Sequence, residues 1–157
     1  MMELLLTQHE ADDLIASLKK LTQKTTRILT DGDRGIVNIS SNSGRKFSLR
    51  YFYSSNNIHL QFMDEKIKLT LIRMNLNDSF HKNSTGEKIY GNRVNIFSED
   101  EFYSKGDGTT HTKASPLPKG VLRNTRDILE AIDDLFNYTN TSNRDKLQLT
   151  IPQPLNF

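Results

Sequence analysis

The stretch that decides the fold lies between residues 66 and 97 and has the sequence KIKLTLIRMNLNDSFHKNSTGEKIYGNRVNIF. Apolar residues occupy both alternating sets of positions from Lys66 to Leu76, which predicts a central strand buried on two faces. Residues 77–87 are polar and contain a glycine, and residues 92–97 alternate again like a strand. If the chain has a functional site, we expect it on the polar loop between these two strands.

Further strand-like runs precede this stretch. Residues 46–54 and 58–63 carry apolar side chains at every second position, and residues 35–41 form a shorter run of the same kind. Strands of this length with short turns between them are typical of an antiparallel meander. The tail at 148–157 contains apolar residues and two prolines, and we expect it to dock as an edge strand.

Two segments have helical spacing. The first begins with a capping box and predicts a helix over residues 7–23, with Lys19 on its solvent-facing side. The second helix is predicted to begin after an N-cap at Asn124 or Thr125. The sequence therefore predicts an α+β fold. We expect a mostly antiparallel four- to six-stranded sheet, packed by the N- and C-terminal helices, in one domain spanning 1–157.

The composition excludes several function classes. The chain has 157 residues, with 21 Lys and Arg against 19 Asp and Glu and a formal net charge of +2. This balance argues against a dedicated nucleic-acid-binding protein and against an acidic mimic of DNA. The absence of cysteine excludes disulfides, thiol catalysis and cysteine-ligated zinc. The sequence has no signal-peptide pattern and no apolar run of membrane length, which predicts a cytoplasmic protein without membrane contact.

The segment 98–126, which we call the basic loop, combines a lack of periodicity with a local excess of positive charge. Five basic residues stand against one acid between residues 104 and 126. We predict that this loop and one face of the strand at 46–54 contact a partner. The residues predicted to contact the partner are Arg50, Phe52, Lys105, Lys113, Lys119 and Arg123.

His81 is the most suggestive of the four histidines, because it follows the central strand and has Glu87 within reach if the loop folds back. As one interpretation it is a general base or a metal ligand, and as another it is a turn histidine bonded to backbone. His111 in the basic loop could approach it, but a zinc ion shared by the two would also require carboxylates. Arg73 is expected to form an internal ion pair with Glu87 or with an acid at 99–101.

Four pieces of the sequence carry a resemblance to other proteins. They are LTQHEAD at 6–12, LIRMNLN at 71–77, HKNSTGE at 81–87 and NRVNIF at 92–97. These pieces resemble a family of small bacterial and phage proteins built on a domain of unknown function. The family pattern has an acid where this chain has Asn75, and two histidines where it has Asn92 and Asn95. The resemblance implies that any metal or acid–base chemistry of that histidine pair is lost here.

These observations predict a non-enzymatic protein-binding module that requires no cofactor. The resemblance to phage and mobile-element proteins extends this prediction to a modulator of host defence. One example is an anti-CRISPR-type inhibitor that binds an effector nuclease and blocks nucleic-acid loading. The first alternative is a metal-dependent hydrolase or nuclease centred on His81, Glu87 and His111, with zinc or manganese as its metal. The second alternative is a nucleic-acid-binding protein that uses the basic loop 98–126.

Overall fold

The computed structural model describes residues 3–152 as an α+β fold with three helices and one large mixed sheet. The elements in chain order are α1 (Gln8–Ala16), β1 (Lys19–Leu21), β2 (Thr25–Ile28), β3 (Asp33–Ser41), β4 (Lys46–Ser54), β5 (Asn57–Asp64), β6 (Leu69–Leu76), β7 (Phe80–Lys82), β8 (Lys88–Tyr90), β9 (Arg93–Phe97), α2 (Glu99–Lys105), β10 (Thr112–Pro116), α3 (Ile128–Tyr138), β11 (Thr141–Ser142), a 3-10 turn (Arg144–Lys146) and β12 (Leu147–Thr150). No helix in this part of the chain is long and apolar enough to cross a membrane.

The large sheet has eight strands in the order β10-β9-β6-β5-β4-β3-β1-β11. All neighbours are antiparallel except β1 and β11, which are parallel. The predicted α+β class and mostly antiparallel sheet are confirmed, but the predicted number of four to six strands is wrong. The short strands β1, β10 and β11 extend the meander at both edges, and backbone pairing places them there without a hydrophobic alternation in their sequence.

The hydrophobic core lies on one side of this sheet. Alternate residues of β4 and β5 form its floor, including Phe47, Leu49 and Phe62, and the Phe47 and Phe62 rings stack with centroids 5.5 Å apart. Helices α1 and α3 both contribute buried residues to the same core. Because strand side chains alternate, the opposite side of β3–β6 carries the other half of the residues, and neither terminal helix contributes to it.

A β-bulge in β6 determines which side chains between Lys66 and Leu76 point to the core. The register skips Leu71, because Met63 pairs with Thr70 while Phe62 pairs with Ile72. The extra residue switches the alternation, so the apolar residues on both sides of it point to the core. The prediction of a strand buried on two faces is therefore wrong, and the second face of β6 is polar.

Helix α1 ends well before residue 23, and this corrects the predicted position of Lys19. The helix stops at its C-cap, Ser17, because the following residues form β1 between β3 and β11. Lys19 is 2% exposed, and its Nζ donates to the carbonyl oxygens of Ile15, Ser17 and Thr139, each at 2.8 Å. Burial lowers the pKa of Lys19 to about 7.

The two predicted loops both contain regular structure. The basic loop includes α2 and β10, and α2 begins where the Ser98 hydroxyl accepts from the Glu101 amide at 3.1 Å. The polar loop 77–87 contains β7 and leads into its partner β8. The expected tail strand corresponds in part to β12, which pairs with β2, while residues 153–157 lie outside the described residues.

Candidate functional site

The side of the sheet opposite the two terminal helices, which we call the open face, is polar and rich in arginine. Cross-strand pairing aligns two rows of side chains across β3, β4, β5, β6 and β9. The first row is Arg34, Phe52, His59, Asn75 and Arg93, and the second row is Ile36, Arg50, Gln61, Arg73 and Asn95. At the usual strand spacing these rows are about 19 Å long.

A wide concavity lies along these rows, and we call it the arginine groove. Its volume is about 810 Å³, and it is open to solvent. Its charged lining consists of Arg27, Arg34, Arg50 and Arg73. No aspartate or glutamate is among the described residues that line it, so the groove presents positive charge without an internal counter-charge.

Most of these arginines have no anionic partner within residues 3–152. Arg27, Arg34 and Arg73 form no ion pair there, in contrast to the five described arginines that do. The Arg50 guanidinium lies 3.2 Å from Glu65 Oε1, at the margin of the groove. Glu65 is shared, because it also accepts from Ser48 and Lys68.

Aromatic rings lie between the arginines. The Phe52 and His59 rings are neighbours on adjacent strands, with centroids 5.8 Å apart and an interplanar angle of 37°. The Arg34 guanidinium lies over the Phe52 ring at 4.8 Å from its centroid, which is a cation–π contact. His59 is held in place by Asn75, whose Oδ1 lies 2.6 Å from His59 Nδ1. The groove thus combines planar and cationic groups.

A second concavity of about 310 Å³, which we call the polar pocket, adjoins the groove. Arg73 lines both. Its polar lining also includes the side chains of Asn75, His81, Asn95 and His111. The hairpin of β7 and β8 carries His81 to the polar pocket, and Asn83 anchors this hairpin to β10. The Asn83 side chain accepts from the Ala114 amide and donates to the Ala114 carbonyl, both at 2.9 Å, and so covers the edge strand β10.

Two buried atoms of the polar pocket lack hydrogen-bond partners in the described fold. They are His81 Nε2 and the side-chain oxygen of Asn95, a residue that is 5% exposed. Burial lowers the pKa of His81, and the nearby charges of Lys105 and Arg93 lower it further, so the ring is neutral at pH 7. Such a histidine offers a neutral donor and acceptor.

His111 lines the polar pocket together with His81, but its ring already has partners. Its Nε2 lies 2.9 Å from the Thr70 carbonyl oxygen, and its Nδ1 lies 3.1 Å from the Thr109 carbonyl oxygen. Glu87 is exposed in the turn of the hairpin and does not line the pocket. Within residues 3–152, no three His, Asp or Glu side chains are placed to hold one metal ion. A zinc site and a hydrolase centred on His81 therefore stay predictions, and the two histidines supply too few ligands by themselves.

A family model described as a family of unknown function (DUF6978) matches residues 6–141. The chain belongs to this family. The predicted resemblance to a family of unknown function is confirmed at this level, while the motif pattern and a bacterial or phage origin stay predictions. No curated protein and no solved structure matches the chain. The matched range contains every residue of the arginine groove and of the polar pocket.

In this DUF6978 member, the residues predicted to contact a partner do not form one surface. Arg50 and Phe52 line the arginine groove. Lys113 pairs with Ile96 in the sheet and therefore alternates to the opposite side from the open face. Arg123 is occupied by Asp134 and Glu130 of α3, at 3.0 and 2.9 Å.

Lys105 and Lys119 complete the predicted set and also lie outside the groove. Lys105 Nζ donates to the Lys82 carbonyl oxygen at 2.7 Å, beside the polar pocket. Lys119 is exposed in the connection between β10 and α3. The predicted internal ion pair of Arg73 is absent from the described residues, because Glu99 and Glu101 bond to the backbone of Gln8 and Ser84 instead. Arg73 is free to contact a ligand.

Proposed function

We propose that this protein is a non-enzymatic binding protein that holds an anionic macromolecule against the open face of its sheet. The observation that carries the proposal is the arginine groove, in which Arg27, Arg34 and Arg73 have no described carboxylate partner. Guanidinium groups bind phosphates and carboxylates in a bidentate manner. An arginine cluster that the fold does not neutralise is therefore suited to an external anion.

Catalysis is disfavoured by the chemistry of the lining. Hydrolysis of a phosphate or peptide bond requires a general base or a metal-bound water. The described lining of both concavities contains no carboxylate, and the neutral His81 has two positive neighbours. The neutral His81 imidazole is a candidate general base, but no described carboxylate lines either concavity to orient it or to help hold a metal-bound water.

Two variants with the same change in charge test this proposal. Arg34→Gln/Arg73→Gln removes two cations from the open face, and Lys113→Gln/Lys119→Gln removes two from the basic loop. With labelled heparin as a polyanion probe, we expect the first variant to bind at least tenfold more weakly, because charged hydrogen bonds contribute about 1.5–3 kcal/mol each. The second variant should bind like the wild type. Equal losses in both variants, measured by fluorescence anisotropy, would contradict the proposal.

An inhibitor of a nucleic-acid-processing defence enzyme is a second proposal for the same face. Ile36 is 54% exposed beside Arg34 and Arg50, and a mixture of arginine, aromatic and apolar groups is typical of protein interfaces. A partner with an acidic surface would fit such a face. Pull-downs from host cells carrying candidate defence systems test it. We expect the wild type and Lys113→Gln/Lys119→Gln to capture an effector, and Arg34→Gln/Arg73→Gln to lose it.

A further inference from the structure

The polar pocket contains hydrogen-bonding atoms that the described fold buries and leaves unpaired. Asn95 is 5% exposed, lines the pocket, and its Oδ1 has no partner. His81 Nε2 is buried and unpaired in the same pocket. Unpaired buried polar atoms destabilise a fold and are rare for that reason. A ligand that supplies matching donors and acceptors would remove this cost, so the pair points to a polar ligand.

The size and lining of the pocket limit what that ligand can be. A volume of about 310 Å³ is at the lower end for ligand pockets and fits one compact group. The free atoms belong to an amide and a neutral imidazole, and these groups recognise neutral donor and acceptor edges. Arg73 lines both the pocket and the adjoining arginine groove. The ligand therefore has a neutral polar head in the pocket and an anionic portion outside it.

The arginine groove fits the anionic portion as an extended strand. Arg34, Arg50 and Arg73 lie on β3, β4 and β6, and the rows of the open face are about 19 Å long. The rise of about 3.4 Å per nucleotide applies to a stacked helical strand, so this length accommodates at most about six nucleotides, and fewer when the strand is extended. A single strand can place successive phosphates on these arginines while one base turns into the pocket.

The aromatic groups of the groove favour a nucleic acid over an acidic peptide. The Phe52 ring is half-buried and carries Arg34 above it at 4.8 Å, while His59 lies beside it at 5.8 Å. Flat rings between cations are the features on which unpaired bases stack. An acidic peptide could also contact the arginines, but its carboxylates would not stack on the planar surface as bases do.

We propose that the polar pocket binds one unpaired base of a single-stranded nucleic acid whose phosphates lie along the arginine groove. This inference rests on the function proposed above and identifies the partner of the open face. Adenine has the matching pattern, because its amine donates to an amide oxygen such as Asn95 Oδ1 while its N7 accepts from the amide nitrogen. Thymine lacks this pattern of an amine beside a ring acceptor.

The test compares oligonucleotides that differ by one base. We would measure by fluorescence anisotropy the affinity for a twelve-nucleotide oligo(dT) and for the same strand with one central adenine, and repeat both as RNA with uracil. The wild type is expected to bind the adenine-containing strand about 5- to 150-fold more tightly, which is the usual value of one bidentate base contact. The DNA and RNA measurements show which of the two nucleic acids the protein binds more tightly.

Two matched variants assign this preference to Asn95. Asn95→Leu removes the free amide, and Asn38→Leu alters an exposed asparagine on the open face outside both concavities. We expect Asn95→Leu to bind both strands equally and Asn38→Leu to retain the preference. Asn95→Leu should melt at the same temperature as the wild type or higher, since it removes a buried atom without a partner. A purely structural asparagine would give a lower melting temperature instead.

The outcomes separate the two proposals. Equal affinity of the wild type for both strands, or an unchanged preference in Asn95→Leu, overturns the base pocket and leaves the anionic groove standing. Binding of heparin or poly-glutamate that depends on Arg34 and Arg73, without any binding of oligonucleotides, also overturns it and favours an acidic protein partner. Failure to bind any polyanion overturns both proposals.

Discussion

The arginines on the open face and those elsewhere in the fold differ in what they contact. Arg45 holds the buried Asp64 through two hydrogen bonds of 2.7 and 3.0 Å, and Arg123 and Arg144 are paired with acids of α3. Arg34 and Arg73 have no such partner in the described residues. Paired arginines stabilise the fold, whereas unpaired arginines on neighbouring strands leave positive charge available for a ligand.

We expect the largest loss of stability when the buried ion pair of Arg45 and Asp64 is broken. Asp64→Ala should lower the free energy of unfolding by about 3 kcal/mol, because it leaves the partly buried Arg45 without its counter-charge. Urea denaturation measures this change. Asp145→Ala is the control, since Asp145 is exposed and its carboxylate has no described ion pair, and it should change stability by less than about 0.5 kcal/mol. Equal effects of the two substitutions would contradict a structural role for the Arg45 pair.

A smaller effect is expected at α3. Asp134 is 3% exposed and accepts from the backbone amide of Arg123 at 2.9 Å as well as from its guanidinium. Asp134→Ala should destabilise by about 2 kcal/mol, since the half-exposed Arg123 can regain water while its amide cannot. Asp133→Ala removes only an exposed partner of Arg144 and should cost less than about 1 kcal/mol. A reversed order would contradict this assignment, because the exposed pair would then contribute more to stability than the buried carboxylate.

Arg50 lines the arginine groove like the unpaired arginines but also pairs with Glu65. This carboxylate predicts a stability that depends on pH. Hydrogen bonds from Lys68, Ser48 and Arg50 lower the pKa of Glu65 to about 2 from its ordinary 4.5. The ionised carboxylate therefore stabilises the folded state above pH 4.5, and this contribution is lost as the pH falls from 4.5 to 2. Glu65→Gln should be less stable than the wild type by about 1–2 kcal/mol at pH 7, after allowance for solvent screening.

The control for Glu65 is the same comparison at low pH. At pH 2.5 the wild type and Glu65→Gln should differ by only a fraction of the pH 7 value, because Glu65 is then protonated in the unfolded state and partly protonated in the folded state. Denaturation in urea at the two pH values measures both differences. A difference that does not change with pH would mean that the carboxylate charge contributes nothing there.

The smallest effect on stability belongs to the open face. Arg34→Gln/Arg73→Gln should change the free energy of unfolding by less than about 1 kcal/mol, because neither side chain has a described ionic partner to lose. Thermal and urea denaturation of the variant measure this value. A loss comparable with that of Asp64→Ala would mean that these arginines stabilise the fold and are not reserved for a ligand.

The strands of the meander could be predicted because their alternation is local. Residues 46–54 and 58–63 place apolar groups at every second position, and β4 and β5 lie there. The strands β1 and β10 have no such signal, because they are held by backbone pairing at the edges of the sheet. Helix α2 had a signal that was missed, since Ser98 is followed by three acids that suit a helix N-terminus.

The candidate site could be predicted only in part, because it depends on register. Arg34, Arg50 and Arg73 are far apart in sequence and become neighbours through pairing of β3 to β6. The bulge at Leu71 places Arg73 on the same face as the other two arginines. The sequence does not indicate this face, because both sets of alternate positions around Leu71 are apolar. His81 and His111 were predicted from residue type, but the unpaired state of Asn95 requires a full set of contacts.

The salt dependence of binding tests most directly whether the open face is the binding surface. The affinity of the wild type for a twelve-nucleotide single strand is measured between 50 and 200 mM salt, and the slope of log K against log salt is compared among variants. Arg34→Gln/Arg73→Gln should reduce this slope by about 1.4, or roughly 0.7 per lost phosphate contact, and Lys113→Gln/Lys119→Gln should leave it unchanged. An unchanged slope in the first variant with a reduced slope in the second would contradict the account and place binding on the basic loop.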